Sequence, residues 1–191
     1  MEKIELENKG VFSYTQDDWA GDLDNFIIDY PFKIALIHPE YNLPNNTELE
    51  SPEEVLKAVK RYKKEYVFPV IMYDHSGIAF STDRKWPFNC PWDASFCGFI
   101  WFTAKQRKEI KDCTKKWSLI ESANNHLAML NAWFRGDVYV FNYENYKTGE
   151  DDSLGGVLCV DRDAFEGEVK DFLSGHVGLK DKDVKEIVDQ L

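Results

Sequence analysis

Apolar residues recur along this chain with two different spacings, and the alternation between them predicts its elements. Lys33-Ile-Ala-Leu-Ile-His38 is an apolar run of strand length. Tyr66–Tyr73 and Gly77–Ser81 are β-rich and are separated by Asp74-His75-Ser76-Gly77. Asp at the first turn position and Gly at the fourth fit a type I turn closing a hairpin. Phe96–Phe102 is a strongly apolar strand, and Val138–Phe141 and Val157–Val160 are two more, joined by the polar segment Glu144–Gly155 read as a long hairpin loop. The predicted strands therefore lie near 33–38, 68–73, 77–82, 96–102, 137–142 and 156–160.

The helical spacing appears first after Ser51, which caps a helix with Pro52 at its first position and Glu54 closing a capping box. Val55, Val59 and Tyr62 form its apolar side, and the helix is predicted over 52–65. Thr103 caps a basic helix over 104–116, and a helix over 118–134 puts Ile120, Ala123, Leu127, Leu130 and Phe134 on one stripe before Arg135-Gly136 ends it. Asp161-Arg162-Asp163 is a helix N-terminus, and helices over 163–173 and 181–190 close the chain. Residues 39–50 are a loop by composition. Residues 82–95 form another, whose Trp86, Phe88 and Trp92 predict that it packs down rather than floats. No linker, repeat or low-complexity stretch interrupts the 191 residues. The expected fold is a single α+β domain over 1–191, mainly antiparallel sheet with helices packed on one face.

Composition narrows the setting. No apolar run approaches the roughly 20 residues of a membrane span, and the first thirty residues contain no apolar leader, so neither membrane nor export is expected. Cys90, Cys97, Cys113 and Cys159 include no C-x-x-C pair and read as free thiols of a reducing compartment, the cytoplasm of a bacterial host. No metal is expected, and Glu150-Asp151-Asp152 lacks the spacing of a calcium loop. The phosphate-loop, dinucleotide, nucleophile-elbow and zinc-protease motifs are absent, so no cofactor is expected.

The net charge is −11, with −6 in residues 1–30 and −6 in 151–191. Bases gather at Lys57–Lys64 and at Lys105–Lys116 and read as solvated helix faces. An acidic chain repels nucleic acid at long range, so nucleic acid is not the expected partner. Tyr73-Asp74-His75-Ser76 is the densest group of reactive side chains, but neighbours at a turn point apart, whereas catalytic triads assemble from distant positions. A nucleophilic Cys90 would need His75 beside it, and the turn and the Cys90–Asp93 loop are predicted to meet. His126 lies beside its helix's apolar stripe and reads as a satisfied core histidine.

Tyr73-Asp74-His75-Ser76-Gly77, then Phe88-Asn89-Cys90-Pro91-Trp92-Asp93, then Gly98-Phe99-Ile100 occur in order. With Gly136-Asp137-Val138-Tyr139 and Ser153-Leu154-Gly155-Gly156, these motifs resemble a family of small proteins carried by bacteriophages, plasmids and other mobile elements. The resemblance covers about residues 66–160; the basic Thr82–Trp86 insertion departs from it, and the first fifty and last thirty residues fall outside it. It implies a mobile-element origin and carries no reaction with it. Small acidic phage-borne proteins without catalytic motifs often block host enzymes, including restriction and CRISPR nucleases, some by presenting carboxylates in the pattern of nucleic-acid phosphates.

Three functions fit these features. The first is an acidic protein that binds and inhibits a host enzyme with a basic nucleic-acid cleft, of anti-CRISPR or anti-restriction type, using Asp17, Asp18, Asp22, Asp24, Glu150, Asp151, Asp152 and Trp92. The second is a small hydrolase or nuclease built on Asp74, His75, Cys90 and Asp93. The third is a nucleic-acid binder using the helix Lys105–Lys116, with Trp101 and Trp117 for stacking.

Overall fold

A computed structural model describes residues 1–18, 31–83, 92–113 and 118–191. The class is α+β, with two four-stranded antiparallel sheets and five helices among the described residues. The residues divide into two compact units. One draws on Met1–Ala20 and Ala132–Leu191, the other on Gly21–Asn131. No composition break marks this division in the sequence.

The first unit is built on β1 (Glu2–Leu6), β2 (Gly10–Gln16), β7 (Val138–Asn145) and β8 (Asp151–Leu158), in the order β1-β2-β7-β8. Neither β1 nor β2 was among the predicted strands. Pairing Ile4 with Phe12, Phe12 with Tyr143 and Tyr14 with Phe141 puts apolar residues of three strands on one face. Helices α4 (Arg162–Asp171) and α5 (Asp181–Val188), with the turn that follows α4, cover that face with Val169, Phe172, Leu173, Val184 and Ile187. Between them the chain makes one wide turn over Phe172–His176, closed by the Val177 N–H on the Phe172 carbonyl at 3.1 Å. Lys9, in the β1–β2 connection, pairs at 2.5 Å with the buried Asp183 carboxylate at the start of α5. The segment Glu144–Gly155 is not a long loop. Strands β7 and β8 pair as far as Glu144 with Asp151, leaving a short turn whose backbone groups bond to the Asn145 side chain. Those residues are too polar to announce a strand; pairing with β2 on the other side holds β7 in place.

The second unit is built on β3 (Lys33–Leu36), β4 (Val67–Asp74), β5 (Ile78–Ser81) and β6 (Ala94–Trp101), in the order β3-β6-β4-β5. Helix α1 (Pro52–Val59) packs Val55 and Val59 against Ala35 and Trp101. Its capping box is as predicted: the Glu54 N–H donates to the Ser51 hydroxyl and the Ser51 N–H to the Glu54 carboxylate. The Glu50 and Ser51 N–H groups, both donating to it, hold the Glu54 carboxyl below its usual range. The helix ends at Val59 rather than at 65, and a single tight turn over Lys64–Tyr66 leads into β4. The hairpin at Asp74 forms, but its turn is not type I. Asp74 pairs with Ile78, leaving a three-residue connection in which Ser76 takes a left-handed φ of 60°.

Helices α2 (Ala104–Cys113) and α3 (Leu119–Arg135) follow β6. Thr103 caps α2 as predicted, with Gln106 returning the bond. Gly136, at φ 77°, ends α3: its N–H reaches the Trp133 carbonyl and that of Asp137 the Ala132 carbonyl, the Schellman arrangement. Ala123, Leu127 and Leu130 are buried as predicted, whereas Ile120 is exposed because it lies in the first turn, off the covered stretch of the helix.

Both edges of this sheet are closed by asparagines. Asn46 accepts from the Ile34 N–H at 2.9 Å on the β3 edge. On the β5 edge, Asn131 accepts from the Phe80 N–H at 2.7 Å and donates to the Phe80 carbonyl at 3.0 Å, doing for one residue what a further strand would do. Asn131→Leu should therefore cost about 2–3 kcal/mol in a urea titration, because two backbone groups of a buried residue lose a partner. A change below about 0.5 kcal/mol would show that water replaces the amide without penalty.

Candidate functional site

In sheet β3-β6-β4-β5 the antiparallel order brings the end of β3, the end of β4 and the start of β6 to one rim. Asp74, His75 and Asp93 meet there: the Asp74 N–H donates to the Asp93 carbonyl at 2.9 Å, and His75 Nδ1 lies 3.5 Å from the Asp93 carboxylate. The predicted meeting of turn and loop is thus present at Asp93, while Cys90 lies outside the described residues. Sequence reasoning missed Tyr41, whose hydroxyl donates to Asp74 at 2.7 Å, and His38, whose ring stacks on Tyr41 at 4.9 Å. Tyr41 sits in a segment that composition marks only as loop and His38 at the end of the predicted 33–38 strand, which the structure ends at Leu36; pairing of Ala35 with Asn45 folds the segment back beside β3. The bond to Asp74, with some burial, raises the Tyr41 phenol above its usual range. Trp92, expected to pack down, instead stands beside this rim 92% exposed, Trp86 and Phe88 lie outside the described residues, and Phe96 on β6 is 51% exposed. Carboxylates, imidazoles and an exposed indole gather at one edge; His75, at 63% side-chain exposure, is open to water.

The predicted acidic residues separate into different roles. Asp17 accepts from the Gly156 N–H at 2.9 Å and so supports the irregular step in β8, where Gly156 has φ 71°. Asp18, Glu150 and Asp151 are exposed, Asp152 is half-buried opposite Tyr143, and Asp22 and Asp24 lie outside the described residues. Residues 1–20 and 132–191, which form the first unit, hold nineteen acids against nine bases, a net −10. Residues 21–131 hold fifteen acids against fourteen bases, a net −1. Pairing of β2 with β7 builds the start of the acidic N-terminal stretch into the same unit as the acidic C-terminal one, while Asp22, Asp24 and Asp29 fall in the second unit.

The basic helix offers less than its sequence implied. Arg107 stacks its guanidinium 3.8 Å from the Tyr66 ring and donates to the Phe102 carbonyl, so it is engaged within the protein. Trp101 is 4% exposed, in the core under α1, and is not available for stacking; Trp117 lies outside the described residues. Its alternation on β6 placed it on the covered face of the sheet.

The remaining reactive groups belong to the core. Burial pushes the Cys97 thiol up to about 12 and that of Cys159 to about 11. His126 is the satisfied core histidine expected: its Nδ1–H donates to the Ser122 carbonyl at 2.7 Å and its ring meets Phe32 edge-on at 5.0 Å. Burial lowers its pKa from 6.5, so the neutral form is the folded one. The stability this contributes is complete above about 6.5 and falls as pH drops from there through the lowered folded value, where the unfolded chain binds a proton that the folded one does not. Urea midpoints at pH 7.5 and 5 should differ less in His126→Leu than in the parent; equal differences would exclude His126 as a source of acid sensitivity.

Among the described residues no group of three His, Cys, Asp or Glu side chains could hold a metal ion, and no helix is long and apolar enough to cross a membrane. Comparison with protein-family models, curated proteins and solved structures found no match.

Proposed function

We propose that this is an acidic binding protein of mobile-element origin that inhibits a host nucleic-acid-handling enzyme of the defence type, such as a CRISPR or restriction nuclease. The observation that carries the reading is the concentration of charge: one unit holds −10 of the total −11. A field that concentrated steers association with a basic cleft and disfavours nucleic acid itself. The resemblance of the Tyr73–Gly77, Phe88–Asp93 and Gly98–Ile100 motifs to mobile-element proteins supports the setting. Exposed Asp18, Glu150 and Asp151 belong to the acidic unit, and Trp92 is an exposed aromatic of the kind that anchors interfaces.

The test joins capture from bacterial lysate with an assay of DNA cleavage by purified restriction and RNA-guided nucleases. A captured nuclease should be inhibited at 50 mM salt, and raising salt to 300 mM should weaken binding by about tenfold or more, because exposed charges are screened over about 10 Å or less. No protein partner at low salt, or salt-insensitive binding, would overturn the reading. A hydrolase using Asp74, His75, Cys90 and Asp93 is the second reading, favoured by the 3.5 Å approach of His75 to Asp93. It requires that His75→Ala abolish an activity that Glu150→Gln leaves intact.

A further inference from the structure

Among the described residues the two sheets present four edge strands, and three of them meet something beyond their sheet partner. Asn131 closes β5, Asn46 and the pairing of Ala35 with Asn45 close β3, and β1 is five residues long with α5 against it. Strand β8, eight residues long, pairs with β7 alone. We infer that its outer edge over Asp151–Leu154 receives an extended, lysine- or arginine-bearing segment of the protein partner as an added strand. The inference rests on the acidic-binding reading above and names how the partner is held.

The ladder shows which groups are on offer. The Asn145 N–H bonds to the Glu150 carbonyl at 2.9 Å at the head of the β7–β8 hairpin. Bonded and non-bonded pairs alternate in an antiparallel ladder, so Tyr143 with Asp152 and Phe141 with Leu154 exchange bonds, while Glu144 with Asp151 and Asn142 with Ser153 do not. The other side of β7 agrees: the Tyr146 N–H reaches the Lys9 carbonyl at 2.9 Å, which turns the main-chain groups of Glu144 and Asn142 toward β2. The N–H and C=O groups of Asp151 and Ser153 therefore point off the edge of the sheet, on two exposed residues, and no group among the described residues bonds to them. The next outward N–H is that of Gly156, and the Asp17 carboxylate already takes it at 2.9 Å where the strand bulges. Asp17 thus marks the end of the open window.

Main-chain groups left open in a row are a template for another strand. An incoming strand opposite Asp151 and Ser153 makes about four main-chain hydrogen bonds. It also lays a side chain beside the half-buried Leu154, which packs on the core of its unit. Charge selects the occupant. A second copy of the chain would bring two units of net −10 edge to edge, and they repel. A segment with Lys or Arg opposite Asp152 replaces that repulsion with a cross-strand attraction.

The experiment titrates the whole protein, labelled with nitrogen-15, with the acetylated peptide amide Val-Thr-Lys-Thr-Lys, which in antiparallel register puts its first lysine opposite Asp152. Saturable amide shifts should centre on Asp151 and Ser153, and hydrogen exchange at those two amides should slow by about tenfold or more. The same peptide N-methylated at both threonines keeps its charge and loses its bonding edge, and should bind at least about tenfold more weakly. Glutamates in place of the lysines should abolish saturable binding. Ser153→Pro removes an N–H that β7 does not use, so the sheet should hold while the peptide is lost; Ser153→Ala keeps the main chain and should bind as the parent does. Equal binding of the methylated peptide would reduce the contact to charge and overturn the added strand. Shifts centred on another strand, or exchange already slow at both amides in the free protein, would overturn it too. Should Ser153→Pro unfold, the methylated peptide decides alone. The two readings fail separately. If a salt-sensitive nuclease partner binds folded Ser153→Pro as well as the parent, the added strand is wrong and the acidic binder stands; if the peptide pairs with β8 while no protein partner exists, the reverse holds.

Discussion

Gly98→Ala is expected to leave a chain that folds poorly or not at all. A Cβ at this position would stand 2.0 Å from the Ala35 carbonyl oxygen and 3.0 Å from the Leu36 Cα, backbone atoms of the neighbouring strand that cannot rotate away. The strands would have to separate or slip, and either change removes the pairing of Leu36 with Gly98 and of Val70 with Gly98 in the middle of the sheet. The backbone adds its own penalty, since φ is 154° there, a region side chains avoid. Clash and strain together should cost on the order of 3–5 kcal/mol, a large part of the roughly 5–15 kcal/mol by which domains are stable. Gly77→Ala is the control: φ is 153°, but nothing lies within 4 Å, so only the conformational part remains, about 1–2 kcal/mol. Urea unfolding of the two variants separates the clash from the strain. Equal losses would mean that β3 yields to the new methyl group. A shifted β6 should also move Asp93 from Asp74 and His75, which histidine resonances would report.

Phe141→Ala should have a comparable effect in the acidic unit, about 3–5 kcal/mol. Phe141 is fully buried in the middle of sheet β1-β2-β7-β8, edge-on to Phe12 at 5.8 Å and to Phe165 of α4 at 5.5 Å, with Phe172 at 6.0 Å. Alanine there removes the ring on which a strand and a helix converge, and surrounding rings too large to turn inward leave a cavity. The urea midpoint should fall without a change in slope, as for a loss of packing rather than of compactness. A loss under about 1 kcal/mol would show that Phe12 and Phe165 close the gap. Because the same sheet joins the two acidic ends, warming this variant should reduce partner capture before it affects the parent.

Local chemistry was legible wherever a few neighbouring residues decide the outcome. Ser51, Pro52 and Glu54 specify the start of α1 by backbone bonds made within three residues, and Gly136 specifies the end of α3 in the same way. The hairpin at Asp74 was legible as a hairpin, yet its turn type was not. The register of β4 with β5 sets the length of the connection, and that length forces Ser76 left-handed. The alternation of Ile4, Leu6, Phe12 and Tyr14 is present in the sequence, but the acids and lysines around it mask its strand signal.

The sequence by itself determined the α+β class, the positions of the caps, most of the strands and all five helices, and an excess of acid at both ends. These follow from spacing, propensity and counting, which need no distant partner. Only the tertiary structure decided that strands from both ends of the chain share a sheet, that Tyr41 meets Asp74 and that Trp101 is core. The shared sheet and the burial of Trp101 depend on register between strands far apart in the chain, where a shift of one residue would send the side chains involved to the opposite face; the Tyr41 contact depends on a loop folded back beside β3.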